Sequence, residues 1–86
     1  MTPIHELLKR IVWDPAFGQG QFEISYADRH QTTLQRTALH GMSFPSDEPQ
    51  AFELVDESGQ SRRIPFHRIR EVHKDGQLIW QRPSAR

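Results

Sequence analysis

The sequence contains no cysteine. Disulfides, thiolate metal sites and cysteine nucleophiles are excluded together, and the composition fits a reducing compartment. Long apolar runs are also missing, since none approaches the roughly 20 residues needed to span a bilayer. The opening Met1-Thr2-Pro3-Ile4-His5-Glu6 lacks the basic stretch followed by an apolar stretch that marks a secretory leader, so a cytoplasmic location is expected. Net charge is absent too: 11 basic and 11 acidic side chains cancel to a formal +0 at pH 7, which alone speaks against nucleic acid. Apolar residues make up only 35% of the 86 residues. A chain of this size has room for one compact domain with a modest core. We expect that domain over residues 3–82, with a polar tail at 83–86.

The distribution of charge says more than its sum. Asp47 to Glu57 holds Asp47, Glu48, Glu53, Asp56 and Glu57 and no basic residue. Arg62 to Lys74 holds Arg62, Arg63, Arg68, Arg70 and Lys74 against Glu71 alone. This pattern yields either two oppositely charged surfaces or mutual neutralisation across a hairpin.

Apolar residues come in short patterned runs. Ile4, Leu7, Leu8, Ile11 and Val12 follow the helical period and form one stripe. Thr2 is the expected cap, with Pro3 at the first helical position and Asp14-Pro15 as the stop. Phe17-Gly18-Gln19-Gly20 reads as a flexible connector. Gln21 to Tyr26 alternates, which predicts a strand with Phe22, Ile24 and Tyr26 inward. Asp28-Arg29-His30 is a turn, and Gln31 to Leu39 a second strand paired with the first. His40 to Gln50, with Gly41, Pro45 and Pro49, has the least regular pattern. Ala51 to Val55 and Ser61 to Pro65 are strands around the turn Asp56-Glu57-Ser58-Gly59, with proline at an edge or end. Asp75-Gly76 is a favoured type I′ hairpin turn, and its simplest register pairs His73 with Leu78, Val72 with Ile79 and Glu71 with Trp80. The expected class is α+β: one N-terminal helix on a curved, mainly antiparallel sheet of about five or six strands, forming a partial barrel.

Among candidates for chemistry, Pro65-Phe66-His67-Arg68-Ile69-Arg70 stands out. Arginine offers a planar fork suited to phosphate, and arginine beside aromatic rings is a common means of gripping nucleic acid. If the segment is extended, Phe66, Arg68 and Arg70 share a face; if it makes one turn, Phe66, Ile69 and Arg70 cluster. A solvated basic surface is the plain alternative. Trp13, Tyr26 and Trp80 are possible stacking rings, although tryptophan in a small core is more often structural. The five histidines have no metal-ligand spacing, so neither a metal nor a cofactor is expected. His30-Gln31-Thr32 matches one of the two His-x-Thr elements that a two-histidine phosphoesterase needs, and the second is missing. No nucleophile elbow or phosphate loop is present, and His67 has no evident partner for acid–base work.

Taken in order, several blocks carry a family resemblance. They are Pro3-Ile4-His5-Glu6-Leu7-Leu8, Trp13-Asp14-Pro15, Tyr26-x-Asp28-Arg29, Ile64-Pro65-x-His67-Arg68-Ile69 and Gly76-x-x-Ile79-Trp80. The ordered set, spanning about Pro3 to Arg82, resembles the RNA cyclic-group end recognition domain. That resemblance implies a non-catalytic module that recognises RNA ends, notably 2′,3′-cyclic phosphates, in RNA repair or processing. It implies single-stranded RNA or 3′ ends as partner and association with repair or processing enzymes; the short apolar runs leave no membrane partner expected. The matching polar residues are Asp28, Arg29, His67 and Arg68, with Tyr26 and Trp13 as stacking partners and Arg70 as additional charge. A protein-interaction adaptor using the acidic and basic segments is the competing reading, and a small cyclic-phosphate hydrolase using His67 is a third.

Overall fold

The computed structural model describes residues 3–27 and 33–82. Helix α1 spans Ile4–Trp13 and buries Ile4, Leu7, Leu8 and Ile11. Val12, at the edge of the apolar stripe, is 40% exposed. Pro3 itself is the N-cap residue, its carbonyl accepting from the Glu6 and Leu7 amides; Thr2 lies outside the described residues. Asp14, extended before Pro15, ends the helix. Its carboxylate accepts from the Ala16 and Phe17 amides at 3.1 and 3.2 Å, which holds it below the usual carboxylate range, with the Phe17 amide the largest cause.

In the connector after α1, Phe17 and Gly18 are packed, while Gln19 and Gly20 are exposed. The Phe17 ring meets that of Phe22 at 6.0 Å and carries the Arg10 guanidinium at 4.2 Å. A side chain at Gly18 would run into the Ile11 carbonyl.

Six antiparallel strands follow: β1 (Phe22–Tyr26), β2 (Gln35–Ala38), β3 (Ala51–Val55), β4 (Ser61–Pro65), β5 (Ile69–Lys74) and β6 (Gln77–Gln81). The class is α+β, as expected. The strands form two sheets, however, and do not close into a barrel: four in the order β2-β1-β5-β6, and the separate β3-β4 hairpin. One cluster joins them, with the α1 residues meeting Phe22 and Ile24 of β1, Phe52 and Leu54 of β3 and Val72 of β5. The irregular 40–50 stretch belongs to this assembly. Ser43 bridges Glu53 on β3 through two 2.9 Å hydrogen bonds, and Met42 and Phe44 pack on the core.

In the final hairpin Asp75 and Gly76 both have positive φ, 52° and 82°, as a type I′ turn requires. His73 faces Leu78 as the simple register predicts, but Val72 then faces Trp80 and Glu71 faces Gln81. A bulge between Val72 and His73 absorbs Ile79. Directly opposite residues share a face, so the bulge exchanges which side chain goes inward. Trp80 becomes 8% exposed beside a fully buried Val72, while Ile79 is left 38% exposed. The larger apolar surface is the one buried.

Candidate nucleic-acid interface

Pro65 ends β4 in extended conformation, and Phe66–Arg68 form a single 3-10 turn before Ile69 begins β5. Of the two geometries open to the sequence, the turn is the one adopted. Two apolar anchors fix it. The Phe66 ring stacks on buried Phe52 at 5.7 Å and 11°, and Ile69 is wholly buried. Backbone bonds tie its ends to neighbouring segments, from the Phe66 amide to the Gln50 carbonyl and from the Ala27 amide to the Arg68 carbonyl, both 2.9 Å.

The carbonyls of this turn are held by guanidinium groups. Arg70 donates from Nη1 to the His67 carbonyl at 2.7 Å. Arg82 donates from Nε to the Ile69 carbonyl at 2.9 Å and from Nη2 to the Phe66 carbonyl at 3.1 Å. Its ring partner is Trp80, 5.3 Å away. Arg70 thus spends part of its fork on the turn. Sequence reasoning missed Arg82, whose only signal is a basic residue just beyond the last strand.

The structure sorts the basic segment into two kinds of residue. In the β3-β4 hairpin Glu53 lies opposite Arg63, and Arg63 pairs with Glu53 at 2.6 Å and Glu48 at 2.5 Å. These partners, Glu53 foremost, raise the Arg63 pKa. Arg62 pairs with Asp56 at 2.6 Å. The Asp56 carboxylate also accepts from the Ser58 hydroxyl and from the Gln60 amide. It titrates far below the usual carboxylate range, owing first to Ser58, then to Arg62. Neutralisation across a hairpin therefore holds for Arg62 and Arg63. Arg68 differs: among the described residues its side chain forms no ion pair, and its Nε is buried without a hydrogen-bond partner. A buried donor left unpaired costs roughly 1–3 kcal/mol.

Arg68 lines a cavity of about 150 Å³ together with Tyr26, Arg62 and Arg63. Tyr26 and Arg62 also line a neighbouring cavity of about 400 Å³, whose walls include Gln35, Thr37, Asp56 and Glu57. Tyr26 and Arg68, 42 positions apart in sequence, are thus brought together. His67 is not with them. It is exposed and lines a different cavity of about 330 Å³ with His5 and Phe66. Trp13 is 65% exposed beside Phe44 and lines neither of the two cavities that Tyr26 lines. Trp80 belongs to the core. Asp28 and Arg29 lie outside the described residues, as does His30-Gln31-Thr32. Among the described residues no three histidine or acidic side chains gather as a metal site, and no helix is long and apolar enough to cross a membrane.

A family model described as the MJ1316 RNA cyclic group end recognition domain matches residues 1–82. No solved structure matches the chain.

Proposed function

Because the chain belongs to the RNA cyclic group end recognition family, we propose that residues 3–82 bind the phosphorylated end of an RNA strand and carry out no catalysis. The observation that carries this reading is the Arg68 side chain, half-buried at a cavity beside Tyr26 and, among the described residues, without an ion-pair or hydrogen-bond partner. A cyclic phosphate diester bears one negative charge on two non-bridging oxygens, and a guanidinium fork matches that pair. An anion there gives the guanidinium the opposite charge that no described carboxylate lining this cavity provides.

The neighbouring 400 Å³ cavity suits the terminal nucleoside rather than the phosphate. Asp56 and Glu57 on its wall repel anions and accept hydrogen bonds, while Tyr26 at the junction offers a ring for the base. Arg29 is assigned a second cationic contact, with Asp28 orienting it. Arg70 holds the turn and adds charge. The single-stranded 3′ end left by RNA cleavage is the natural ligand, and RNA repair or processing enzymes in the cytoplasm are the partners this role implies. The adaptor reading loses its footing because the charged segments on which it relied pair with each other at Glu53–Arg63 and Asp56–Arg62.

Fluorescence anisotropy with a short cyclic-phosphate oligoribonucleotide tests this. Arg68→Met should weaken binding tenfold or more, as loss of a charge-assisted contact worth roughly 1.5–3 kcal/mol requires. Arg63→Ala should weaken it far less, and wild-type affinity should fall with added salt. Equal effects of the two substitutions would reduce the interface to diffuse electrostatics.

A further inference from the structure

The cavity that His67 lines adjoins another of about 220 Å³, and the two share His5, Pro49 and Phe66. Their floor is aromatic. Phe66 stacks near Phe44 with centroids 6.5 Å apart and planes 27° from parallel, and Phe44 meets Trp13 at 5.5 Å. The Lys9 ammonium sits 6.0 Å from the Trp13 ring and 5.9 Å from that of Phe44. Among the described residues no carboxylate lines either cavity, and Lys9 forms no ion pair.

Packing on the core accounts for Phe44 and Phe66 but not for Trp13. The buried stripe of α1 is complete without Trp13, which remains 65% exposed. A large indole left in water next to a second ring and an unneutralised ammonium is a surface with unused binding capacity. Aromatic faces with a cation at their edge are what successive bases of a single strand need, the rings stacking on the bases and the charge meeting the backbone. A duplex presents no free base faces to such a groove. The 3-10 turn links the two regions, since Arg68 faces the phosphate cavity and the adjacent residue His67 faces the aromatic groove.

We infer that the groove lined by His5, Lys9, Phe44 and Phe66, with Trp13 bordering it against Phe44 and Lys9, is a second subsite, which seats the bases of the nucleotides preceding the bound RNA end. This rests on the end-binding reading and extends it: the protein recognises an end together with a short single-stranded run, and the Phe66–Arg68 turn is the ridge the strand crosses. Lys9 neutralises a phosphate of that run, and Trp13 closes the stack at its outer edge.

The test is a length series on the full chain: mono-, di- and trinucleotides of one sequence, all with the same 2′,3′-cyclic phosphate, titrated against wild type, Trp13→Ala, Lys9→Glu and Arg68→Met. Wild type should bind roughly tenfold tighter for each base seated in the groove. Trp13→Ala and Lys9→Glu should flatten that gain while leaving mononucleotide affinity unchanged. Both positions are exposed, and an unaltered melting profile verifies the fold. The Trp13 indole resonance should also shift with the trinucleotide and not with the mononucleotide. Arg68-dependent mononucleotide binding with no gain on lengthening overturns the subsite and leaves the end-binding reading intact. A gain that survives both groove substitutions overturns it as well. Concentration-dependent self-association that protects Trp13, or tight binding of a proline-rich peptide with no competition from RNA, would assign the groove to protein. If no cyclic-ended RNA of any length binds, the end-binding reading falls and this inference with it.

Discussion

Replacing Arg82 with alanine removes the two hydrogen bonds from its guanidinium to the Phe66 and Ile69 carbonyls, at 3.1 and 2.9 Å, and the ring contact with Trp80. Bonds from a charged donor are worth about 1.5–3 kcal/mol each. Both are only part-buried, so water recovers a share, leaving a net loss of about 2 kcal/mol. A domain of this size has roughly 4–13 kcal/mol in total, so the variant stays folded. Its Tm should drop by roughly 8–16 °C. Arg82→Lys keeps the charge but cannot reach two carbonyls with a rigid fork, and should recover about half of the loss. Because these carbonyls belong to the turn that presents Arg68, RNA affinity measured well below the Tm should fall along with stability. Thermal melts by circular dichroism, paired with an RNA titration at low temperature, read both effects. A Tm within about 2 °C of wild type would refute the assigned role of the two bonds.

The other predictions concern charge. Arg68→Met replaces a side chain whose buried Nε has no partner among the described residues, so denaturant unfolding should show stability unchanged or raised by about 1 kcal/mol even as RNA binding weakens; clear destabilisation would mean that Arg68 serves the fold. Asp56 titrates below the usual carboxylate range in the folded chain and at about 3.9 when unfolded. Between those values the unfolded chain holds more protons, so the contribution is complete above the unfolded pKa and lost as pH falls through the folded one. Melting temperature against pH should therefore decline less steeply on acidification in Asp56→Asn than in wild type, and parallel curves would contradict the assigned hydrogen bonds.

Much of the fold was legible because local signals and tertiary packing agree. The stripe Ile4, Leu7, Leu8 and Ile11 marks both the helix and its buried face, and Asp75-Gly76 marks the last turn. The division into two sheets was not legible. Which strands become neighbours depends on contacts far apart in sequence, such as β1 lying between β2 and β5. The bulge at Ile79 was hidden for a related reason, since a period of two cannot say which of two adjacent apolar residues turns inward. Within the basic segment, hairpin register foreshadows the pairing of Glu53 with Arg63. Nothing in the sequence separates Arg68 from those paired arginines; the distinction arises because the chain has left the β3-β4 ladder at Pro65 and entered the 3-10 turn, so Arg68 has no β3 residue opposite it. The same turn divides His67 from Arg68, which sequence adjacency had joined.

The most direct measurement is a titration of one oligoribonucleotide bearing a 2′,3′-cyclic phosphate, a linear phosphate or a free hydroxyl end, against wild type and Arg68→Met at fixed salt. Wild type should bind the cyclic end most tightly and the hydroxyl end least, and Arg68→Met should bring the three affinities close together. Equal wild-type affinity for all three ends would contradict recognition of the terminal group.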